Sequence, residues 1–335
     1  MNLPTLMTKV AALRGHPLAV SSTPAPLDDS ESVVIPGESR PQAKPPTGLV
    51  SRRNVEFARR PKAGAEGSPI RLRMDILSPR SAGPLPLVVY IPGGGFVVAP
   101  KIGGARLRRY VAATGYVVAS IEYRTTSTGG TFRDGIADVR AAIGFLRAHA
   151  EEYGIDPARV AVWGESAGGY LAAMVGVTNG HERFDPDGAG EVLAVVDKFG
   201  GSSLDRLAEG FDERTVAAAA APGSAPARYV HGPTARSLED DVAELRAADP
   251  ISYVTAGPPA FLLFHGTNDR IISPVQTAAL HHALLAAGAA STRYLVEGAG
   301  HGDIAVTSGE EKLWTTEPML RLIVEFLDRQ LSAAR

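Results

Sequence analysis

The sequence predicts an α/β fold, a mostly parallel sheet covered by helices on both faces, and three observations carry that expectation. Apolar runs of strand length recur at Leu85 to Ile91, Tyr116 to Tyr123, Val160 to Trp163, Val192 to Lys198, Ala260 to Phe264 and Thr292 to Val296. Helical periods lie between and after them. Ile136, Val139, Ile143 and Leu146 recur at 3.6-residue spacing, as do Leu320, Ile323, Val324 and Leu327, the second set behind a Pro318 suited to a helix's first turn. Continuous apolar strands alternating with helices imply parallel strands buried on both sides. The third observation is the segment Val160 to Tyr170, where an apolar run stops in Gly164-Glu165-Ser166-Ala167-Gly168 and resumes as small, helix-forming residues.

The remaining elements follow in chain order. Residues 1–47 form an N-terminal arm: its Val10 to Val20 stretch is interrupted by Arg14 and His16 and makes a poor signal sequence. Residues 21–47, rich in Pro and Ser, read as extended or poorly ordered, and could wrap a pocket as a cap. Two strands are expected next, Leu49 to Ala58 and Ile70 to Leu77, the latter alternating well from Arg71 to Ile76. Residues 48–335 then make one domain. Within it, Gly200 to Ala248, with its alanine run at 217–221, is too long for a simple connector. It is expected to be partly helical and to serve as a lid or pocket wall, with Phe96, Phe211 and Tyr229 as candidate pocket-lining residues.

Composition excludes several function classes. With 335 residues, 44% of them hydrophobic, the chain can bury a large core. A formal charge of −2 without a basic block implies neither nucleic acid nor an anionic membrane surface as partner. Zero cysteines rule out disulfides, thiolate metal sites and a cysteine nucleophile. No apolar run is long enough to span a membrane, so a cytoplasmic location is expected.

The Gly-x-Ser-x-Gly turn reads as a nucleophile elbow. A strand entering a helix through so tight a turn strains the central residue and lifts its side chain clear of the sheet edge, which makes Ser166 a candidate nucleophile. In a chain with 36 glycines the bare pattern is weak; the strand before it and the helix after it carry the specificity. A serine hydroxyl needs a base, a carboxylate to orient that base, and donors for the developing oxyanion. Where a serine is presented this way the order is Ser, acid, His, which leaves His181, His231, His265, His281, His282 and His301. His301 is preferred because it sits in a glycine loop directly after an apolar strand, where this sheet class places its site. His281 and His282 lie within a helical run, and His265 ends a strand and shapes the turn after it. That turn, Gly266 to Arg270, offers Asp269 as the acid; Asp249, followed by Pro250, is the competitor, and Asp303 is too close to His301 in sequence. The loop Pro92 to Phe96, after the strand ending at Ile91, has consecutive glycines whose amides can approach a substrate oxygen. It lacks the lysine pattern and helix-opening glycines of a phosphate cradle.

Taken together, Gly93-Gly94-Gly95-Phe96, Tyr123-Arg124, Gly154 to Val160, the elbow, Asp249 to Tyr253, His265 to Asp269 and Gly298 to Gly302 resemble the α/β-hydrolase superfamily. The similarity runs from about Leu85 to the C-terminus and is greatest to bacterial carboxylesterases, including feruloyl and acetylxylan esterase-like and hormone-sensitive-lipase-like members. It implies Ser166 as nucleophile, Asp269 as acid, His301 as base, and the amides of Gly94, Gly95 and Ala167 as the oxyanion hole. It also implies hydrolysis of short to medium acyl esters, a small-molecule substrate, and no metal or organic cofactor. Acyl transfer or ring closure in specialised metabolism would use the same residues, and an inactive fold serving as a small-molecule receptor is the reading from another class. One departure stands out: the family loop reads His-Gly-Gly-Gly, and Pro92 here replaces that histidine. The donors are untouched, but the loop must be braced differently, because proline has no N–H.

Overall fold

The computed structural model describes residues 19–38, 42–44, 47–61, 69–81, 83–302 and 312–332. Its strands are β1 (Ser32–Ile35), β2 (Val50–Arg60), β3 (Ile70–Ser78), β4 (Leu85–Ile91), β5 (Val117–Ile121), β6 (Ile155–Glu165), β7 (Ala194–Lys198), β8 (Ala260–Gly266) and β9 (Ser291–Val296). They form one nine-stranded sheet in the order β1-β9-β8-β7-β6-β4-β5-β3-β2. The pairings β2–β3 and β3–β5 are antiparallel and the others parallel. Parallel neighbours need crossovers, and the helices supply them.

Alternation along each strand sends side chains to two cores. In β4, Leu87, Val89 and Ile91 face one core while Val88 and Tyr90 face the other. The first core is covered by α2 (Phe132–Ala148), α4 (Ala167–Val177) and α8 (Val275–Ala286); the second by α1 (Ala105–Ala113) and α9 (Glu317–Ser332). A single turn, α3 (Ala150–Tyr153), precedes β6. Helix α2 starts at a capping box between Thr131 and Asp134 and buries Ile136, Val139, Ile143 and Leu146, the residues whose spacing predicts it. Helix α4 is buried on every side, and its glycines allow that depth: a Cβ on Gly169 would meet Asp197, and one on Gly176 would meet Val195 and Phe261.

Several boundaries differ from the sequence expectation. β6 starts five residues before the apolar run, at Ile155, because its first turn of strand carries Asp156, Pro157, Ala158 and Arg159 outside the core. β5 stops at Ile121, two residues short of Tyr123, whose hydroxyl is engaged elsewhere. In the arm, Ser32–Ile35 adds to the sheet edge beside β9, with Val33 and Val34 half exposed; an apolar run of only three residues is too short to signal a strand. Segment 200–248 contains α5 (Glu213–Ala220), α6 (Ala225–His231) and α7 (Val242–Ala248), with 3₁₀ turns at Leu204–Arg206 before α5 and Leu238–Asp240 between α6 and α7. No helix among the described residues is long and apolar enough to cross a membrane.

Candidate active site

Strands β4, β6, β7, β8 and β9 end on the same edge of the sheet, and the loops that leave them converge at the point where strand order reverses around β4 and β6. Ser166 sits between β6 and α4 with φ 57° and ψ −124°, a left-handed geometry costly for a residue with a Cβ. The neighbouring glycines make that turn possible. A Cβ on Gly164 would be driven into the Gly168 carbonyl, and one on Gly168 into the Ile91 carbonyl. The Ser166 amide donates to the Lys198 carbonyl at 2.9 Å, and the Tyr170 amide to the Ser166 carbonyl at 3.0 Å, so the strained residue is held from both sides.

Its hydroxyl opens a continuous chain. Ser166 Oγ lies 2.8 Å from His301 Nε2, and His301 Nδ1 lies 2.7 Å from Asp269 Oδ2. The carboxylate accepts at Nδ1, so that nitrogen carries the proton and Nε2 is left free to accept one from the serine. His301 is buried, with the Phe199 ring packed against it at 4.7 Å between centroids. Asp269 is fully buried, and its Oδ1 accepts the amides of Ile271 and Ile272 at 2.9 and 3.1 Å. Burial alone would push this carboxyl up. The charge of His301 and the hydrogen bonds from His265 and His301 outweigh it and hold the group well below the usual carboxylate range.

His265, expected to shape the turn, has a second contact that its sequence position does not reveal. Its Nε2 lies 3.0 Å from the Ile272 carbonyl and 3.3 Å from Asp269 Oδ2, and its Nδ1 3.0 Å from Thr277 Oγ1. Burial pushes its imidazole down, which favours the neutral ring. Asp249 is engaged elsewhere, accepting the Leu204 amide at 2.7 Å and Ser203 Oγ at 3.3 Å. Asp303 lies outside the described residues.

The glycine loop after β4 leans on the elbow: a Cβ on Gly93 would strike the Glu165 carbonyl and approach Ser166 Cβ. Among the described residues the amides of Gly94, Gly95 and Ala167 have no acceptor. Ala167 opens α4, where the first N–H groups lack intrahelical partners and the helix presents its positive end. The brace that Pro92 cannot provide comes from the stretch after β5. Tyr123 Oη donates to the Pro92 carbonyl at 2.9 Å, Thr125 Oγ1 to the Val97 carbonyl at 2.8 Å, and the Thr126 amide to the Phe96 carbonyl at 2.9 Å.

Ser166 and His301 line a cavity of about 390 Å³, walled by Phe96, Leu207, Ala219, Ala225, Ile272 and Trp314 among others. Of the three aromatic residues expected to line it, only Phe96 does. Phe211 packs instead against Ala25 and Ala208 in a separate cluster, because the arm covers its ring. Tyr229 is fully buried behind Phe96, its ring stacked on the Phe96 ring at 4.6 Å. A polar group went unnoticed in the sequence: Glu165 accepts from Lys198 Nζ at 2.6 Å and from Tyr90 Oη at 2.7 Å, and all three line the cavity. The available signal was the pair Asp197-Lys198 closing an apolar run.

Residues 74–284 match the BD-FAE family, well over half of the chain. The probable carboxylic ester hydrolase LipM of Mycobacterium tuberculosis is 31% identical over 207 residues, covering 58% of this chain and 44% of LipM. Esterase LipC of the same organism is 32% identical over 225 residues, covering 65% of this chain and 53% of LipC. The chain thus spans about half the length of the curated relatives it matches. A truncated carbohydrate esterase from gut microbiota superposes with a TM-score of 0.66 at 22% identity, covering 92% of this chain and 99% of that one. The topology of the sheet, the loop order along its edge and the extent of the family match agree: the chain is an α/β-hydrolase-fold member of the BD-FAE family.

Proposed function

We propose that the protein is a serine carboxylester hydrolase, with Ser166 as nucleophile, His301 as general base and acid, Asp269 as the orienting carboxylate, and the Gly94, Gly95 and Ala167 amides as oxyanion donors. The observation that carries this reading is the unbroken chain Ser166 Oγ–His301–Asp269, at 2.8 and 2.7 Å, opening on the cavity. Ser166 Oγ attacks the ester carbonyl carbon while its proton passes to His301 Nε2 and the carbonyl electrons move to the oxygen, where the free amides meet the developing charge. Collapse expels the alkoxide, which takes the proton from His301. Water, deprotonated by the same nitrogen, then attacks the acyl carbon; on collapse Ser166 Oγ leaves, retakes that proton from His301 Nε2, and the acid product is released.

Substrate size follows from the walls. A cavity of about 390 Å³ lined by small and branched apolar side chains suits short to medium acyl esters. Segment 200–248 contributes Leu207, Ala219 and Ala225, which supports its role as pocket wall. The printed names of LipM and LipC, a carboxylic ester hydrolase and an esterase, agree with this chemistry.

A fluorophosphonate should add one covalent group to Ser166, read by peptide mass mapping, and abolish hydrolysis of a soluble aryl ester. Ser166→Ala should lower kcat on the order of 10⁵–10⁶-fold. Labelling of another serine, or unimpaired Ser166→Ala, overturns the assignment.

A further inference from the structure

Phe96 is the residue of the glycine loop that most needs outside support. It follows Gly94 and Gly95, and its φ of 61° places a side chain in the left-handed region, where a Cβ crowds the backbone. Both its ends are held. The Phe96 carbonyl accepts from the Thr126 amide at 2.9 Å and from Thr126 Oγ1 at 3.0 Å. The ring is stacked on Tyr229 at 4.6 Å with 24° between planes, and meets the edge of Tyr170 at 5.5 Å and 88°.

These two tyrosines belong to different parts of the chain. Tyr170 lies on α4, one turn beyond Ser166, and its hydroxyl donates to the Ala248 carbonyl at the end of α7 with a distance of 2.6 Å. Tyr229 lies on α6 and touches the Tyr170 ring at 6.2 Å between centroids. Segment 200–248 is therefore joined to both sources of oxyanion donors. It reaches Gly94 and Gly95 through Tyr229 and Phe96, and Ala167 through the Ala248 carbonyl and Tyr170. The Tyr229 hydroxyl is buried without a hydrogen-bond partner among the described residues, so its ring face, not its polar end, does the holding.

We propose that Tyr229 is a positioning residue for the oxyanion hole, acting through Phe96 to keep the Gly94 and Gly95 amides aimed at the reacting carbonyl. Segment 200–248 is then a structural part of the catalytic machinery as well as a wall of the pocket. The inference rests on the assignment of Gly94, Gly95 and Ala167 as donors.

The test compares paired organophosphorus inhibitors that differ only in P=O or P=S. Sulfur is the weaker hydrogen-bond acceptor, so the ratio of their inactivation rate constants reports the oxyanion donors and is insensitive to general loss of folded enzyme. Tyr229→Ala should reduce the P=O to P=S ratio by about tenfold and kcat on a soluble ester by about tenfold or more, with KM within about threefold. Tyr229→Phe, which keeps the ring face, should restore the ratio and kcat. If Tyr229→Ala does not yield folded protein, Tyr229→Leu, which fills the volume without a flat face, carries the same expectation. Gly95→Ala is the separate arm for the donor assignment. If it leaves the ratio unchanged, the donors are wrongly chosen; if it collapses the ratio while Tyr229→Ala and Tyr229→Leu do not, the positioning role is overturned and the donors stand.

Discussion

At the scale of single residues, the two candidate acids show how environment separates carboxylates of similar sequence context. Asp269 has donors on both oxygens, Ile271 and Ile272 on one side and His301 with His265 on the other, and stays ionised despite full burial. Asp249 has fewer donors against a large loss of hydration, and burial pushes its carboxyl up to about 7. An ionised, fully donated carboxylate can orient an imidazole and stabilise its cation. Asp269→Asn should therefore lower kcat by about 10³–10⁴-fold through the wrong tautomer of His301, whereas Asp249→Asn should stay within a few-fold of the parent. Steady-state kinetics on one soluble aryl ester compare the two. A dead Asp249→Asn beside an active Asp269→Asn would move the acid to Asp249.

At the scale of elements, the loop after β4 shows how a glycine loop headed by Pro92 is braced from a neighbouring stretch. Proline at position 92 removes a side chain and an N–H, yet the Pro92 carbonyl remains, and the buried Tyr123 hydroxyl donates to it. Tyr123→Phe leaves that acceptor unsatisfied and should cost about 1–2 kcal/mol of folding stability, read as a fall in Tm. Gly94→Ala should be more damaging, at about 3–4 kcal/mol of transition-state stabilisation, because its Cβ would be forced against the Val98 carbonyl and the loop must move. Pro92→His should be far milder than either. Harmless substitutions at both Gly94 and Gly95 would show that this loop does not contact the reacting carbonyl.

At the scale of the whole molecule, two cores flank one sheet, and ionisable groups buried among them link stability to pH. Asp197 at the end of β7 is fully buried, and loss of hydration pushes its carboxyl up to about 7, although the Gly200 amide donates to it at 2.9 Å. In the unfolded chain an aspartate titrates near 3.9. Between these values the folded state binds more protons than the unfolded one, so stability falls as pH rises from about 4 towards 7 and levels off above that. Asp249 contributes with the same sign. Buried His265 and His281, pushed down, contribute with the opposite sign, so the reading is a difference: from pH 5 to pH 8 the Tm of the parent should fall relative to that of Asp197→Asn. Equal slopes for the two would mean that Asp197 is ionised throughout.

The sequence by itself determined the architecture and the order of the candidate site. Strands such as β4 and β8 are continuous apolar runs because both faces are buried, and α2 is legible because its buried residues repeat at the helical period. Ser166, Asp269 and His301 stand out because each follows a strand in a loop rich in turn residues, and those loops share one sheet edge. Tertiary structure decided what lies beside what. β1 is a strand only because β9 offers an unpaired edge, and four half-exposed residues carry no period of their own. Phe211 and Tyr229 have equal claims as pocket aromatics in the sequence, yet the arm covers one and the Phe96 ring covers the other. The contact of His265 with Asp269, the Tyr123 brace on Pro92 and the Lys198 pair with Glu165 likewise depend on side-chain direction at the ends of different elements. Periodicity records whether a residue is buried. Which neighbour it is buried against is set by contacts between segments far apart in the chain, and no local pattern encodes them.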